Sequence, residues 1–213
     1  RSITEGNKMS EVNHIAFDLE LEQPKTGPQT PDSRLDKEKI IQVGWVVYEV
    51  DPFKIIQRRN YTINIGVPIS KFIKKLTGIS DEDIFSGVSL DFAFFKMYED
   101  LNQFSCSRIL KQWGGGDDQC LRAEIEELPP HIKSRYIGLI TNNDKLWPFG
   151  RSAQNIKHLY QSYAEINDLN RSGGLKKSMA RCGLKFDGGA HNALVDAMNT
   201  ALFHDFLIRS MKK

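Results

Sequence analysis

The chain has 213 residues, of which 40% are hydrophobic and 26% charged, with a formal net charge of +2. That length suits one domain with a proper core, and no apolar run approaches the roughly 18 residues needed to span a bilayer. The near-balanced charge excludes a bulk positive field as the means of binding nucleic acid, so such a partner must be held by local contacts or by metal ions. Cys106, Cys120 and Cys182 are odd in number and widely spaced. They fit neither a disulfide framework nor a zinc knuckle, and point to a reducing, cytoplasmic setting. Arg1 to about Lys8 lack both a pattern and the apolar centre of a signal peptide, while Met9 reads as a native start. Residues 1–10 are therefore expected to be disordered or an added remnant, with residues 11–213 as a single domain.

In chain order, the first element is Ile15-Ala16-Phe17-Asp18-Leu19-Glu20. As a strand it sends Ile15, Phe17 and Leu19 to one face and both carboxylates to the other. Two anions on one side of a strand call for water or a hard cation between them. A Pro, Thr, Gly and Asp-rich stretch from Gln23 to Asp36 should be an exposed loop beside the acids. Ile40 to Val50 and Lys54 to Ile65 are β-forming, with Asp51-Pro52 as the turn, so the chain opens with three antiparallel strands. Ser70 to Leu76 and Ser80 to Phe85 read as short helices, each with a serine suited to N-capping, and a longer helix follows from Ser89 to about Phe104.

Ser107 to Trp113 is predicted as a buried strand, ended by Gly114-Gly115-Gly116 before a helix from about Asp117 to Leu128. Pro129 to Gly150 reads as an insertion, with a possible strand at Tyr136 to Thr141 and a turn at Trp147 to Gly150. Helical patterns resume at Ala153 to Ile166, Gly174 to Cys182 and Asn192 to Met211. Strand alternating with helix is an α/β signature.

Two further acids stand where a helix begins. Taken singly, Asp117 reads as a helix cap and Asp196 as a helix-dipole aspartate. His191 precedes Asp196 by five residues, about 140° around a helix. The two can cooperate only if His191 lies on the loop entering the helix.

Phe17-Asp18-Leu19-Glu20, Ile40-Ile41-Gln42-Val43-Gly44, Leu76-Thr77-Gly78-Ile79-Ser80, Trp113-Gly114-Gly115-Gly116-Asp117 with Leu121, and Ala190-His191-Asn192-Ala193-Leu194-Val195-Asp196-Ala197 together resemble the DEDDh exonucleases. Five motifs in order over nearly the whole chain are far more specific than any one. The resemblance is strongest to the RNA-processing members with a Trp-Gly-x-x-Asp motif. It implies an RNase H-like α/β fold with a mixed five-stranded sheet, helices on both faces and the acids at one sheet end. It implies that Asp18, Glu20, Asp117 and Asp196 bind two divalent metal ions, Mg²⁺ or Mn²⁺, and that His191 is the general base. Asp118 is the rival to Asp117, but the spacing from Trp113 and to Leu121 favours Asp117.

Two departures bear on substrate fit: Leu21 where the family commonly has Thr or Ser, and the glycine triplet in place of bulkier residues. Leu76 sits where related enzymes place an apolar wedge against the terminal base, and Leu19, Leu21 and Phe17 are further substrate-binding candidates. Arg58-Arg59, Lys74-Lys75 and Lys176-Lys177 could touch phosphates, though charged pairs are usually solvated faces. Trp113 reads as core. The implied activity is 3′-to-5′ hydrolysis of single-stranded nucleic acid or 3′ overhangs, RNA ahead of DNA, by a monomer or homodimer. The rivals are a proofreading or repair DNA exonuclease and a catalytically silent binding module on the same fold.

Overall fold

The computed structural model of the chain describes residues 12–140 and 147–212, so the expected N-terminal remnant lies outside the described residues. Strands β1 (His14–Glu22), β2 (Lys39–Glu49) and β3 (Lys54–Thr62) form an antiparallel meander turned at residues 50–53. Helices α1 (Lys71–Thr77), α2 (Asp81–Ser86) and α3 (Leu90–Gln103) follow. Ser70 and Ser80 cap α1 and α2 through their side chains, and Gly78 ends α1 at a φ of 77° that suits a residue without Cβ. The short strand β4 (Lys111–Gln112), helices α4 (Asp117–Glu126) and α5 (Pro130–Ile140), the short strand β5 (Gln154–Asn155), and helices α6 (Ile156–Ile166), α7 (Leu175–Arg181) and α8 (Ala193–Met211) complete the chain. The sheet order is β3-β2-β1-β4-β5, with β4 parallel to both β1 and β5.

Alternation along the central strands divides the interior. Ile15, Phe17, Leu19, Val43, Trp45 and Val47 pack with Leu90, Phe94, Met97 and Leu101 of α3 and with Leu121 and Ile125 of α4. The opposite face, Ala16, Val46 and Tyr48, packs against Ala201 of α8. Ala193, Ala197 and Ala201 recur every fourth residue and are fully buried, so α8 presents a smooth stripe that lets it lie close on the sheet. Helices α6 and α7 cover α8 from outside through Tyr160, Met179, Phe203 and Leu207. His14 and His204, which carry no motif, pack edge to face at 5.5 Å beside Tyr48, whose hydroxyl lies 2.7 Å from His204 Nδ1. Burial pushes the two imidazoles down to about 4 and about 3.

Four expectations need correction. The strand over 107–113 shrinks to Lys111–Gln112: its partner β5 pairs only there, with the Gln154 amide donating to the Leu110 carbonyl, while the Arg108 carbonyl accepts from the Gly150 amide of the loop before β5. The strand expected at Tyr136 to Thr141 falls within α5 as far as Ile140, and Thr141 lies outside the described residues. A short apolar run reads the same in either period, and Pro130 at the first helical position sets the helix. The helix expected from Ala153 starts at Ile156, with Gln154 and Asn155 spent on β5. Trp147 to Gly150 is more than a turn: Trp147 stacks on Phe94 at 6.0 Å and Phe149 is buried, sealing the core under α3.

Candidate active site

Asp18 and Glu20 leave β1 on the α8 side, opposite Gly44 and Gln42 of β2. Gly44 decides how close α8 comes. A Cβ built there would stand 2.1 Å from the Leu194 nitrogen and 2.2 Å from the Ala193 carbonyl carbon, so only glycine allows the helix to start on top of the strand. Gln42 secures the same contact, its Oε1 accepting from the Ala193 amide at 2.9 Å. Asp196, in the first turn of α8, is thereby brought to the β1 acids. One carboxylate oxygen each from Asp18, Glu20 and Asp196 lie within 4.8 Å of one another.

The loop before α8 is fixed from below. Buried Asn199 accepts from the Asp187 amide at 3.0 Å and donates to the Asp187 carbonyl at 2.9 Å. His191 has a φ of 65°, a strained backbone for a residue with a Cβ, and its amide donates to Asp196 Oδ2 at 2.9 Å. The imidazole is thus exposed on the loop, beside the acid it flanks in sequence, as the five-residue spacing requires.

Of the adjacent acids on α4, Asp118 is committed to structure. It is buried, its Oδ1 accepting from Gln112 Nε2 at 3.2 Å and its Oδ2 from the Ala153 amide at 2.9 Å. Asp117 makes no such bonds among the described residues and stands close enough to Asp18 and Glu20 to raise both. It occupies the first turn of α4, after Gly116 at a φ of 117°.

Burial, then the charges of Asp117, Asp196 and Glu20, push Asp18 well above the ordinary carboxylate range. Burial followed by Asp196 and Asp117 brings Glu20 up to about 7. Burial followed by Asp118 and Glu38 brings Asp117 up to about 7. Asp196 is also raised by burial, against the opposing hydrogen bond from the His191 amide. Every side-chain charge acting on Asp18, Glu20 and Asp117 is another carboxylate. An all-oxygen, anionic donor set of this kind fits a hard divalent cation, which takes the place of the protons the acids otherwise hold.

Two clefts meet at Leu19 and Glu20. The larger, about 530 Å³, is lined by Asp18, Glu20, His191 and Asp196 together with Trp113, Phe186 and the α7 residues Leu175 to Lys177. The smaller, about 440 Å³, is lined by Leu19, Leu21, Phe72 and Leu76 and by the loop from Gln23 to Thr30. Leu76 is 37% exposed, with its side chain offered to the cleft. Phe17 requires correction as a substrate-binding candidate: it is fully buried among the core residues on the α3 side and lines neither cleft. Trp113 serves both roles, stacking on Phe203 at 5.7 Å while lining the larger cleft. The loop from Gln23 to Asp36 is not wholly exposed, since Thr30 and Ser33 are buried.

Sequence reasoning missed Phe72, Phe186 and Glu22. Glu22 is fully buried and its Oε2 accepts from both the amide and the hydroxyl of Ser70, tying β1 to the helix that carries Phe72 and Leu76. Its place two residues beyond Glu20, on an alternating strand, was the available signal.

Sheet order, the docking of α8 on Gly44 and the acids at one sheet end define an RNase H-like fold of the kind found in DEDDh 3′-exonucleases. Among solved structures, the nuclease domain of 3′hExo, a DEDDh family member bound to rAMP, superposes with a TM-score of 0.71 at 18% identity, over 95% of this chain and 94% of that one. A 3′-exonuclease described in 3′-end specific recognition of a histone mRNA stem-loop gives 0.70 at 17%, over 94% and 65%. E. coli exonuclease I with a dA16 oligonucleotide gives 0.61 at 14%, over 93% and 41%. The chain thus spans less than two thirds of the two longer proteins. No protein-family model and no curated protein matches the sequence. Among the described residues, no helix is long and apolar enough to cross a membrane.

Proposed function

We propose that the chain is a metal-dependent 3′-to-5′ exonuclease that hydrolyses single-stranded nucleic acid or 3′ overhangs to 5′-mononucleotides. The observation that carries this reading is the convergence of Asp18, Glu20 and Asp196, with Asp117 beside them, at the meeting of two clefts. Asp18, Glu20, Asp117 and Asp196 would hold two Mg²⁺ or Mn²⁺ ions, which when bound neutralise the phosphodiester and acidify the attacking water.

The protein's own groups supply the rest. Histidine is the side chain whose class titrates near neutrality. The exposed imidazole of His191 takes the proton from the water as its oxygen attacks phosphorus. The bond to the neighbouring 3′ oxygen breaks and that oxygen takes a proton from solvent water, leaving a shortened strand with a 3′ hydroxyl and a free 5′-mononucleotide, while His191 returns its proton to solvent. Asp196 accepts from the His191 amide at 2.9 Å, which anchors the loop carrying the base to the acid cluster. Leu19, Leu21 and Leu76 offer an apolar surface for the terminal base, and stacking on such a surface tolerates any sequence. RNA stands ahead of DNA because two of the superposed proteins are described with rAMP and with an mRNA stem-loop. The free thiols Cys106, Cys120 and Cys182 suit a reducing, cytoplasmic setting.

The test is incubation of 5′-labelled single-stranded RNA and DNA with the protein in Mg²⁺, in Mn²⁺ and in EDTA. A metal-dependent ladder shortening from the 3′ end is expected, faster on RNA. Gel retardation without shortening in either metal would refute the hydrolase and leave a binding module.

A further inference from the structure

The two clefts beside Leu19 and Glu20 differ in one chemical respect. The larger carries Lys176 and Lys177 on its wall, both exposed and neither in an ion pair with a carboxylate among the described residues. Lys176 Nζ lies 5.8 Å from the ring centre of Phe186, another wall residue, so the ammonium stands over the cleft's aromatic surface. No cationic side chain lines the smaller cleft: beyond Glu20 its wall is the leucines, Phe72, Ile73 and uncharged residues of the loop between Gln23 and Thr30, while Lys25 of the same loop lies outside the lining and is paired with Asp36.

A nucleic-acid strand is equally asymmetric about the bond that an exonuclease of the proposed polarity cuts. On the 3′ side there is a single nucleotide, with no phosphate beyond the scissile one. Every other phosphate lies on the 5′ side. A cleft with ammonium groups and a cleft without them can be matched to these two sides in one way.

We propose that Lys176 and Lys177 hold the phosphate next on the 5′ side of the scissile one, while the lysine-free cleft receives the terminal nucleobase. This assignment rests on the 3′-to-5′ reading above. Asp18, Glu20 and Asp196 in the lining of the larger cleft repel a polyanion, and Lys176 and Lys177 are the lysine side chains in that same lining that oppose them. Lysine suits the task because a point charge on a flexible stem follows a phosphate without requiring a fixed base or sugar geometry. The molecule would then distinguish strand direction by charge, with the shortest well-held substrate carrying two phosphodiesters rather than one.

The experiment compares an unlabelled dinucleotide with one phosphodiester and a trinucleotide with two. Binding is measured by calorimetry in Ca²⁺ and mononucleotide release in Mg²⁺ or Mn²⁺. Wild type should bind the trinucleotide about tenfold more tightly, with the preference shrinking as salt rises. The Lys176→Ala/Lys177→Ala double variant should lose most of that preference, raising KM for the trinucleotide far more than it changes kcat. The Lys176→Arg/Lys177→Arg variant should restore it. A double alanine variant that keeps the full preference, or a wild type that shows none, overturns the proposal. So does a dinucleotide bearing an added 3′-phosphate that gains affinity through these lysines, since that would reverse the polarity. A wild type that binds with the expected lysine-dependent preference yet releases no mononucleotide in either metal defeats the hydrolase reading and leaves the phosphate contact standing.

Discussion

Replacing Gly44 with alanine tests the central piece of geometry without touching a carboxylate. The added Cβ would lie 2.1 Å from the Leu194 nitrogen, 2.2 Å from the Ala193 carbonyl carbon and 2.6 Å from its oxygen, all backbone atoms that no rotamer change can move. Ordinary van der Waals contact begins at about 3.4 Å, so the first turn of α8 must retreat from β2 by roughly 1.3 Å. That retreat stretches the 2.9 Å bond from the Ala193 amide to Gln42 and carries Asp196 away from Asp18, which is paired directly with Gly44. Overpacking of this kind costs about 1–3 kcal/mol, a loss of several degrees in Tm for a domain of this size. Displacing a reacting group by about 1 Å costs on the order of a hundredfold in rate. The Gly44→Ala variant should therefore remain folded by circular dichroism, melt several degrees lower, bind Mn²⁺ more weakly by calorimetry and lose about a hundredfold in kcat. A folded variant with wild-type metal affinity and turnover would refute the claim that the glycine sets the position of Asp196.

Three further outcomes follow from the same site. Asp117→Asn should abolish turnover and weaken metal binding, whereas Asp118→Asn should leave metal binding intact and cost about 1–3 kcal/mol of stability through its buried bonds to Gln112 and Ala153. Calorimetry and melting on the pair check this, and the reverse pattern would make Asp118 the ligand. His191→Ala should lower the single-turnover rate by about 10²- to 10⁴-fold while changing oligonucleotide affinity only a few-fold; an unchanged rate near neutral pH would remove it as the base. Glu20 and Asp117 are each held up at about 7, above their unfolded values, so they favour the metal-free fold fully below about pH 4 and progressively less as pH rises through about 7. For Glu20 alone the loss by alkaline pH is about 3 kcal/mol. The gain in Tm on adding Mg²⁺ should therefore be larger at pH 8 than at pH 5, and equal gains would contradict a carboxylate site relieved by a cation.

How far the sequence carried this reading depends on the range over which each constraint acts. The run Ile15 to Glu20 disclosed its strand, its buried face and its paired acids, because alternation is local and a single turn of reasoning covers it. His191 was placed on a loop for an equally local reason, the 140° that five residues subtend. The strand around Lys111 is shorter than its apolar run suggests, since its distant partner β5 pairs only with Lys111 and Gln112 and the Arg108 carbonyl goes to the Gly150 amide of the loop before β5. Tyr136 to Ile140 was misread because five residues rich in apolar groups cannot distinguish two periods. Phe17 and Leu19 share a strand face and alternation does not separate them; burial does, since Phe17 is fully enclosed in the core while Leu19, nearer the strand end, reaches both clefts.

Gly44 belongs to neither group. Within its own strand a glycine is only a weak point, costing backbone entropy and offering nothing to pack. Its meaning appears when Ala193 and Leu194, some 150 residues later, are seen resting where its side chain would be. The acids are the chemically visible part of the site, yet they are drawn together by an absent side chain on the neighbouring strand and by an alanine stripe on the helix that crosses it. Carboxylates that repel one another do not assemble by attraction. Close packing of small residues behind Asp18 and Asp196 holds them in place, and the upward shifts of Asp18 and Glu20 are the cost, first of that burial and then of their enforced proximity to the other acids.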